Sequence, residues 1–292
     1  MKIRGVIALS RWKEHVWFVL PLTLLGFLLA WRTGIKRLDF KILGVVLANL
    51  LAVSYAFMIN DVEDADDDLF LKEKSIRNPV SNGLISKTFG YIVSFFVALA
   101  AFSIFIILGK PVLWWGVGLL LISYFYSARP VRLKSWPFVD LVSHSLMLGG
   151  LLILTAYSAY LTSVGKAWYI IAAAIFFSIY GQIYNQLRDL DADKKSKLKN
   201  TTIFLGKEKS RYLSYLSLFL GISCLLISLF KGLFPLWLIP ILLISVLLSF
   251  MFKKDKDFRG ASFVDPTGEY QLSGYIIMNA VIFSWFLVSV LI

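Results

Sequence analysis

Nine stretches of almost unbroken apolar residues alternate with short polar segments along the chain, at approximately 15–31, 40–59, 87–108, 111–127, 138–161, 167–187, 211–230, 234–252 and 271–291. A helix that crosses a bilayer needs about 20 mainly apolar residues, within a range of about 17 to 25. The fourth stretch is short, so a helix there must stand nearly upright or lie where the bilayer thins. None of the nine shows the period-2 alternation of a barrel strand, and in lipid only helices and closed barrels satisfy their own backbone groups. The pattern predicts an all-α, polytopic membrane protein of nine transmembrane helices. Its longest polar segments, about 61–86, 188–210 and 253–270, are too short to fold alone, so 1–292 reads as a single domain.

Basic residues orient the bundle. With nine spans, the N-terminus and the even-numbered loops share one side, and that side holds 23 of the 30 Lys and Arg residues. The opposite side holds seven, four of them (Arg32, Lys36, Arg37 and Lys41) in the first loop. The positive-inside rule then puts the N-terminus in the cytoplasm and the C-terminus outside.

Two acidic clusters lie on the predicted cytoplasmic side and share one spacing. Asn60, Asp64 and Asp68 end the second apolar stretch, and Asn185, Asp189 and Asp193 end the sixth. Positions four apart on a helix are offset by about 40° and rise about 6 Å, so each trio forms one slanted stripe if its helix continues into the headgroup region. An ionised carboxylate beside hydrocarbon is costly, which points to stripes that hold something positive. All the donors are oxygens, and that selects a hard cation such as Mg²⁺ over zinc or copper. The ordinary alternative for the first cluster is a solvated acidic loop, since Asp61, Glu63, Asp66 and Asp67 crowd the same segment; a second stripe on the same face argues against it.

Cations flank both clusters where a phosphate needs them: Arg77 after the first, Arg132 and Lys134 in the fourth loop, and Arg188 directly before Asp189. Arg and Lys make strong, directed bonds to phosphate oxygens. Lys194, Lys195, Lys197 and Lys199 read better as topology signals; Arg11, at the foot of the first helix, could contact the acceptor but also reads better as a topology signal. Asp140 and His144 in the fifth stretch read as cavity residues or as a hydrogen-bonded packing pair.

Composition adds little beyond the class. Hydrophobic residues make up 58% of the 292, above the roughly 45–50% of soluble domains, and mean hydropathy is +0.75. The net charge of +12 is loop charge that topology and anionic lipid headgroups explain, so it implies no nucleic acid. A single cysteine, Cys224, rules out an internal disulfide. The first stretch has no small-residue cleavage site and is long enough to span, unlike a signal peptide.

Four local motifs resemble those of the UbiA superfamily of intramembrane prenyltransferases. They are Asn60-Asp61-x2-Asp64-x3-Asp68; the turn Arg77-Asn78-Pro79-Val80-Ser81-Asn82-Gly83 followed by Ile85-Ser86; Tyr126-Ser127…Pro130…Arg132-Leu133-Lys134; and Arg188-Asp189-x3-Asp193 with a downstream Thr201 or Thr202 and Leu205-Gly206. The chain departs from the family pattern in two places: the turn's Arg sits one place early, at Arg77, and Ala192 replaces a common Gly. The resemblance implies a helical bundle around a central cavity open to the cytoplasm and sideways to lipid. It implies Mg²⁺-dependent transfer of an isoprenoid chain from a polyprenyl diphosphate to a lipophilic or aromatic acceptor. Asp64, Asp68, Asp189 and Asp193 are then the metal ligands and catalytic carboxylates, with Asn60 and Asn185 assisting. Arg77, Arg132, Lys134 and Arg188 bind the diphosphate, and Tyr126 lines the cavity where an allylic cation needs an aromatic face.

Three other readings compete. A CDP-alcohol phosphotransferase needs an Asp-Gly pair that the chain lacks. A transporter places its carboxylates near the midplane, in broken helices. Transfer of a phosphoribosyl group to a polyprenyl phosphate uses similar machinery and stays open at this point, as do the acceptor and the donor's length.

Overall fold

The computed structural model describes residues 2–34, 38–69, 72–251, 256, 262–263 and 266–291. The first-loop Lys36 and Arg37, used above for orientation, lie outside the described residues. Those described form fourteen α-helices and no named strand: α1 (Lys2–Ser10), α2 (Trp12–Arg32), α3 (Phe40–Asp68), α4 (Lys72–Arg77), α5 (Lys87–Leu108), α6 (Lys110–Ser127), α7 (Val139–Ser145), α8 (Leu151–Ser158), α9 (Trp168–Arg188), α10 (Leu190–Lys195), α11 (Thr201–Leu205), α12 (Lys207–Phe230), α13 (Leu238–Met251) and α14 (Pro266–Leu291).

Every predicted apolar stretch lies on helix, but among the described residues only seven helices are long and apolar enough to cross a membrane. The other two are shorter or less apolar. The fourth stretch is the 18-residue α6, which opens on Lys110 and Pro111, and the eighth is the 14-residue α13. The latter starts four residues later than predicted, after a turn in which the Leu238 amide donates to the Pro235 carbonyl (3.1 Å). The fifth stretch is not one regular helix either: a π-helical segment, Leu146–Gly150, joins α7 to α8.

Helix α2 stands at the centre of one half of the bundle and packs on α3, α8 and α14. Its crossing with α8 is close because Gly26 faces α8; a Cβ there would lie 2.4 Å from the carbonyl oxygen of Ile153. Small residues bring helices together where lipid removes the hydrophobic drive. Polar side chains clasp the same junction. Asn49 Nδ2 donates to Thr23 Oγ1 (2.9 Å) and the Leu152 carbonyl (3.1 Å), and Thr155 Oγ1 donates to Asn49 Oδ1 (2.9 Å).

In the other half α9 packs on α7 and α12, while α13 packs on α14. A cavity of about 900 Å³ runs between the two halves. Ile222 and Leu226 of α12 and Leu242 and Leu243 of α13 line it and are still 39–57% exposed.

Candidate active site

Helix α3 carries the first stripe to its end at Asp68, as the spacing predicts. The second stripe is different. Helix α9 stops at Arg188, Asp189 adopts φ −90° and ψ 7°, and Asp193 belongs to the separate α10. Amide bonds from Asp189 to Asn185 and from Asp193 to Asp189 (3.0 and 2.9 Å) nevertheless carry the i to i−4 register across the break. Asn60, Asp64, Asp68, Asn185, Asp189 and Asp193 all line the one cavity, at the end where α3, α4 and α10 meet. Arg77, Tyr126, Arg132, Lys134 and Arg188 line it too.

The cations of the fourth loop reach back over the first stripe. Lys134 Nζ donates to Asn60 Oδ1 (2.9 Å) and Asp64 Oδ2 (2.5 Å), and one Arg132 nitrogen, Nη2, donates to Asp64 Oδ1 (2.8 Å) and Asp67 Oδ2 (2.6 Å). Arg132 takes a left-handed backbone conformation, φ 43°, to make this approach. A non-glycine residue there costs on the order of 1–3 kcal/mol, and such strain gathers at functional sites. Burial pushes the Lys134 ammonium below its ordinary pKa, and Asp64 counters this only in part. Burial acts the same way on Arg132, yet Asp64 and Asp67 hold it above the ordinary value.

The turn after the first stripe is docked beneath it. Asn78 Nδ2 donates to the Asp61 carbonyl (2.7 Å) and to Asp68 Oδ2 (2.9 Å), and Ser81 Oγ donates to the Ala65 carbonyl (2.7 Å). Gly83 takes φ 76°, the left-handed position that the Asn82-Gly83 pair predicts. Across the cavity Lys74 Nζ and Asn200 Nδ2 donate to Asp193 at 3.4 and 2.8 Å. Burial raises the Asp193 carboxyl above the usual carboxylate range, with Lys74 opposing. Arg188 Nε donates to Asp189 Oδ1 (3.2 Å).

Sequence reasoning missed part of the site. Arg11, read first as a topology signal, is buried, lines the cavity, donates to Asp61 Oδ1 (3.2 Å) and Glu14 Oε2 (2.5 Å), and lies 4.7 Å over the Phe57 ring. Burial depresses its pKa, but Asp61 and Glu14 more than offset this and leave it above the ordinary value. The signal in the sequence was Glu14, three residues after Arg11 at the start of an apolar helix. Asp140 and His144 make their bonds to different residues. Asp140 is fully buried and takes bonds from Gln186 (2.6 Å), the Thr201 amide (2.8 Å) and the Thr201 hydroxyl, so it ties α7, α9 and α11 together. His144 lines the cavity instead, 3.3 Å from the Ser178 hydroxyl.

Seven carboxylates and six Arg or Lys residues line this cavity. Arg132 Nε and Asp61 Oδ2 are buried there with no hydrogen-bond partner among the described residues. Among the described residues no three His, Cys, Asp or Glu side chains gather closely enough to hold a metal ion unaided. Two half-sites of hard oxygen donors, with a balance of cations between them, suit an ion that takes its remaining ligands from water and from an anionic substrate.

Known proteins resemble this chain in sequence or in fold. An archaeal enzyme named lycopene elongase/hydratase, from Haloarcula japonica, is 26% identical over 195 residues, which is 65% of this chain and 60% of that protein. The chain thus matches less than two thirds of that relative's length. A UbiA homolog from Archaeoglobus fulgidus, solved with GPP and Mg²⁺, superposes with a TM-score of 0.65 at 23% identity, covering 96% of this chain and 100% of that one. The apo structure of a UbiA homolog from Aeropyrum pernix K1 gives a TM-score of 0.70 at 15% identity, over 95% and 98%. At these identities the structures speak for the fold. The profile of the UbiA prenyltransferase family matches residues 19–263, and the chain belongs to that family.

Proposed function

We propose that this membrane enzyme transfers a prenyl chain from a polyprenyl diphosphate to a lipophilic or aromatic acceptor, with Mg²⁺, at the cytoplasmic face of the bilayer. One observation carries this reading: both Asp stripes and their flanking cations line the mouth of a cavity whose remaining wall is mainly apolar. A transporter path has no need of such polarity at one end only. The UbiA homolog from Archaeoglobus fulgidus, solved with GPP or DMAPP and Mg²⁺, holds a prenyl diphosphate and a metal of the kind this donor set suits.

Asn60, Asp64 and Asp68 from α3 face Asn185, Asp189 and Asp193 as the two half-sites for the metal. When bound, Mg²⁺ supplies charge neutralisation for the departing diphosphate. The chain's own residues do the rest. Lys134, Arg132, Arg77 and Arg188 hold the diphosphate oxygens and meet the charge that grows on them as the allylic C–O bond breaks. A buried ion-pair cluster of this kind contributes little net stability, so its presence is better explained by the anion it receives. Below the mouth, Phe57, Tyr126 and Phe177 line the cavity, where aromatic faces shelter the allylic carbon from water. The N-terminus and the site loops face the cytoplasm, and the C-terminus faces outward.

The experiment is transfer of label from tritiated geranyl diphosphate to lipid by the purified protein in nanodiscs, with Mg²⁺ or with EDTA. Label in a lipid product only with Mg²⁺, and lost in Asp64→Ala or Asp189→Ala, supports the reading. Metal-independent transfer, or transfer unchanged in both variants, removes it.

A further inference from the structure

Below its ionic mouth the cavity continues between the helices, and three of its walls measure how deep it goes. On α9 the lining runs from Asn185 down to Ile170, about 22 Å of helix at about 1.5 Å per residue. On the α2 side it runs from Arg11, which bonds Asp61 beside the first stripe, down to Leu25, about 20 Å. Helix α14 runs alongside α2 in the same direction: Phe18 meets Tyr275 and Phe27 meets Phe286, with ring centroids 6.4 and 6.1 Å apart. Its lining runs from Gln271 to Ile282, about 16 Å. Gln271 already lies one turn below Asn185, because a Cβ on Gly181 would stand 2.8 Å from its Nε2. One turn is about 6 Å, so this wall also ends about 22 Å beneath the second stripe.

At the deep end the lining is buried. Leu25, Ile170, Leu238 and Ile282 are 1–7% exposed, in contrast to the α12 and α13 residues named above. Phe234, in the turn between α12 and α13, lines the cavity there too. Its ring pairs with that of Trp285 (centroids 5.5 Å apart), which is itself 1% exposed and sits just past Ile282 on α14. The turn is tied down on both sides. The Leu233 amide donates to the Ser228 carbonyl (3.1 Å), and Arg32 Nη2, at the far end of α2, donates to the Gly232 carbonyl (3.1 Å).

We infer that Phe234 is the floor that sets the donor's chain length, and that the donor carries four isoprene units, as in geranylgeranyl diphosphate. This rests on the prenyl-transfer reading above and refines its donor. An isoprene unit adds four chain carbons, about 5 Å when extended at bond lengths of about 1.5 Å. With the diphosphate held at the carboxylates, four units reach the level of Ile170 and Ile282. A fifth meets the Phe234 ring, which Trp285 backs. Extra methylenes forced against a packed end push side chains off their rotamers, so longer donors are penalised. Shorter donors leave part of the apolar lining without contacts. Phe234 thus touches the far end of the substrate and takes no part in bond breaking.

The test compares tritiated prenyl diphosphates of two to six units, using the full chain in nanodiscs with Mg²⁺ and the source organism's total lipid extract as acceptor. In the parent protein kcat/KM for label transfer should peak at four units and fall about tenfold or more at five and six. Phe234→Ala should move the peak to five units. Met278→Trp should move it to three, since Met278 lines the cavity one turn above Ile282. Each shift is read as a ratio of donors within one protein, so a partly unfolded variant still reports it. A parent peak at another length, or a profile flat from four to six units, overturns the assignment; so does a peak that stays at four units in Phe234→Ala or in Met278→Trp. In each of those cases prenyl transfer itself stands. If the parent protein transfers no donor of any length, the proposed function fails and the floor falls with it.

Discussion

Removing the Lys134 ammonium separates the structural from the chemical part of the site. In Lys134→Met the side chain keeps most of its volume and loses its bonds to Asn60 and Asp64. Breaking a buried pair by deleting one partner costs about 3–5 kcal/mol when the survivor is stranded. Asp64 is not stranded, since Arg132 still bonds it and its side chain is 17% exposed, so a stability loss nearer 1–2 kcal/mol is expected, about one or two hydrogen bonds. The effect on chemistry is larger. A preorganised donor aimed at developing charge contributes about 2.7–4 kcal/mol, so turnover should fall about 10²- to 10³-fold. The assay is kcat and KM for label transfer from geranyl diphosphate, alongside a melting curve of the detergent-solubilised protein. A loss of turnover below about fivefold, or one that appears only as a raised KM, refutes the argument that Lys134 acts on the departing diphosphate.

Other perturbations probe different parts of the structure. Asp189→Asn removes a charge from the second half-site and should shift the Mg²⁺ requirement upward by at least about tenfold, read from a metal titration of transfer; an unchanged titration removes Asp189 from the metal set. Asp140→Asn keeps the shape of the three-helix tie but replaces an oxygen acceptor with a donor facing Thr201 or Gln186. It should lower stability by about 1–3 kcal/mol, measured as a melting shift, and a variant that melts like the parent contradicts the tie. Gly26→Leu drives a side chain into the Ile153 carbonyl and should cost several kcal/mol or prevent folding. Recovery of normal amounts of monodisperse Gly26→Leu protein shows that α2 and α8 do not cross there.

Fold and site were legible to different depths. The apolar stretches identify the helices because a bilayer forces each span to satisfy its backbone locally, so pattern and element coincide. Both stripes are visible for the same reason: their spacing is helical, and α3 does continue through Asp64 to Asp68. The short α13, the π-segment that ends in Gly149 and Gly150, and the break at Asp189 were not visible. Each depends on how a helix meets its neighbours: Gly149 lies against the Ala174 carbonyl of α9, for instance. The burial of Arg11 was not visible because its partner Asp61 is remote in sequence, and an isolated basic residue at a helix foot looks the same whether it faces solvent or a buried carboxylate.

By itself the sequence determined a helical membrane protein with two oxygen-rich stripes on one face, because length, hydropathy and helical spacing are properties of single segments. Only the tertiary structure decided that both stripes and six cations share one cavity, that Arg11 belongs to it and Asp140 does not, and that His144 lines it. These are distances between segments far apart in the chain. They are set by close packing around small residues such as Gly26 and by polar ties such as Asn49 and Asp140, which no local pattern encodes.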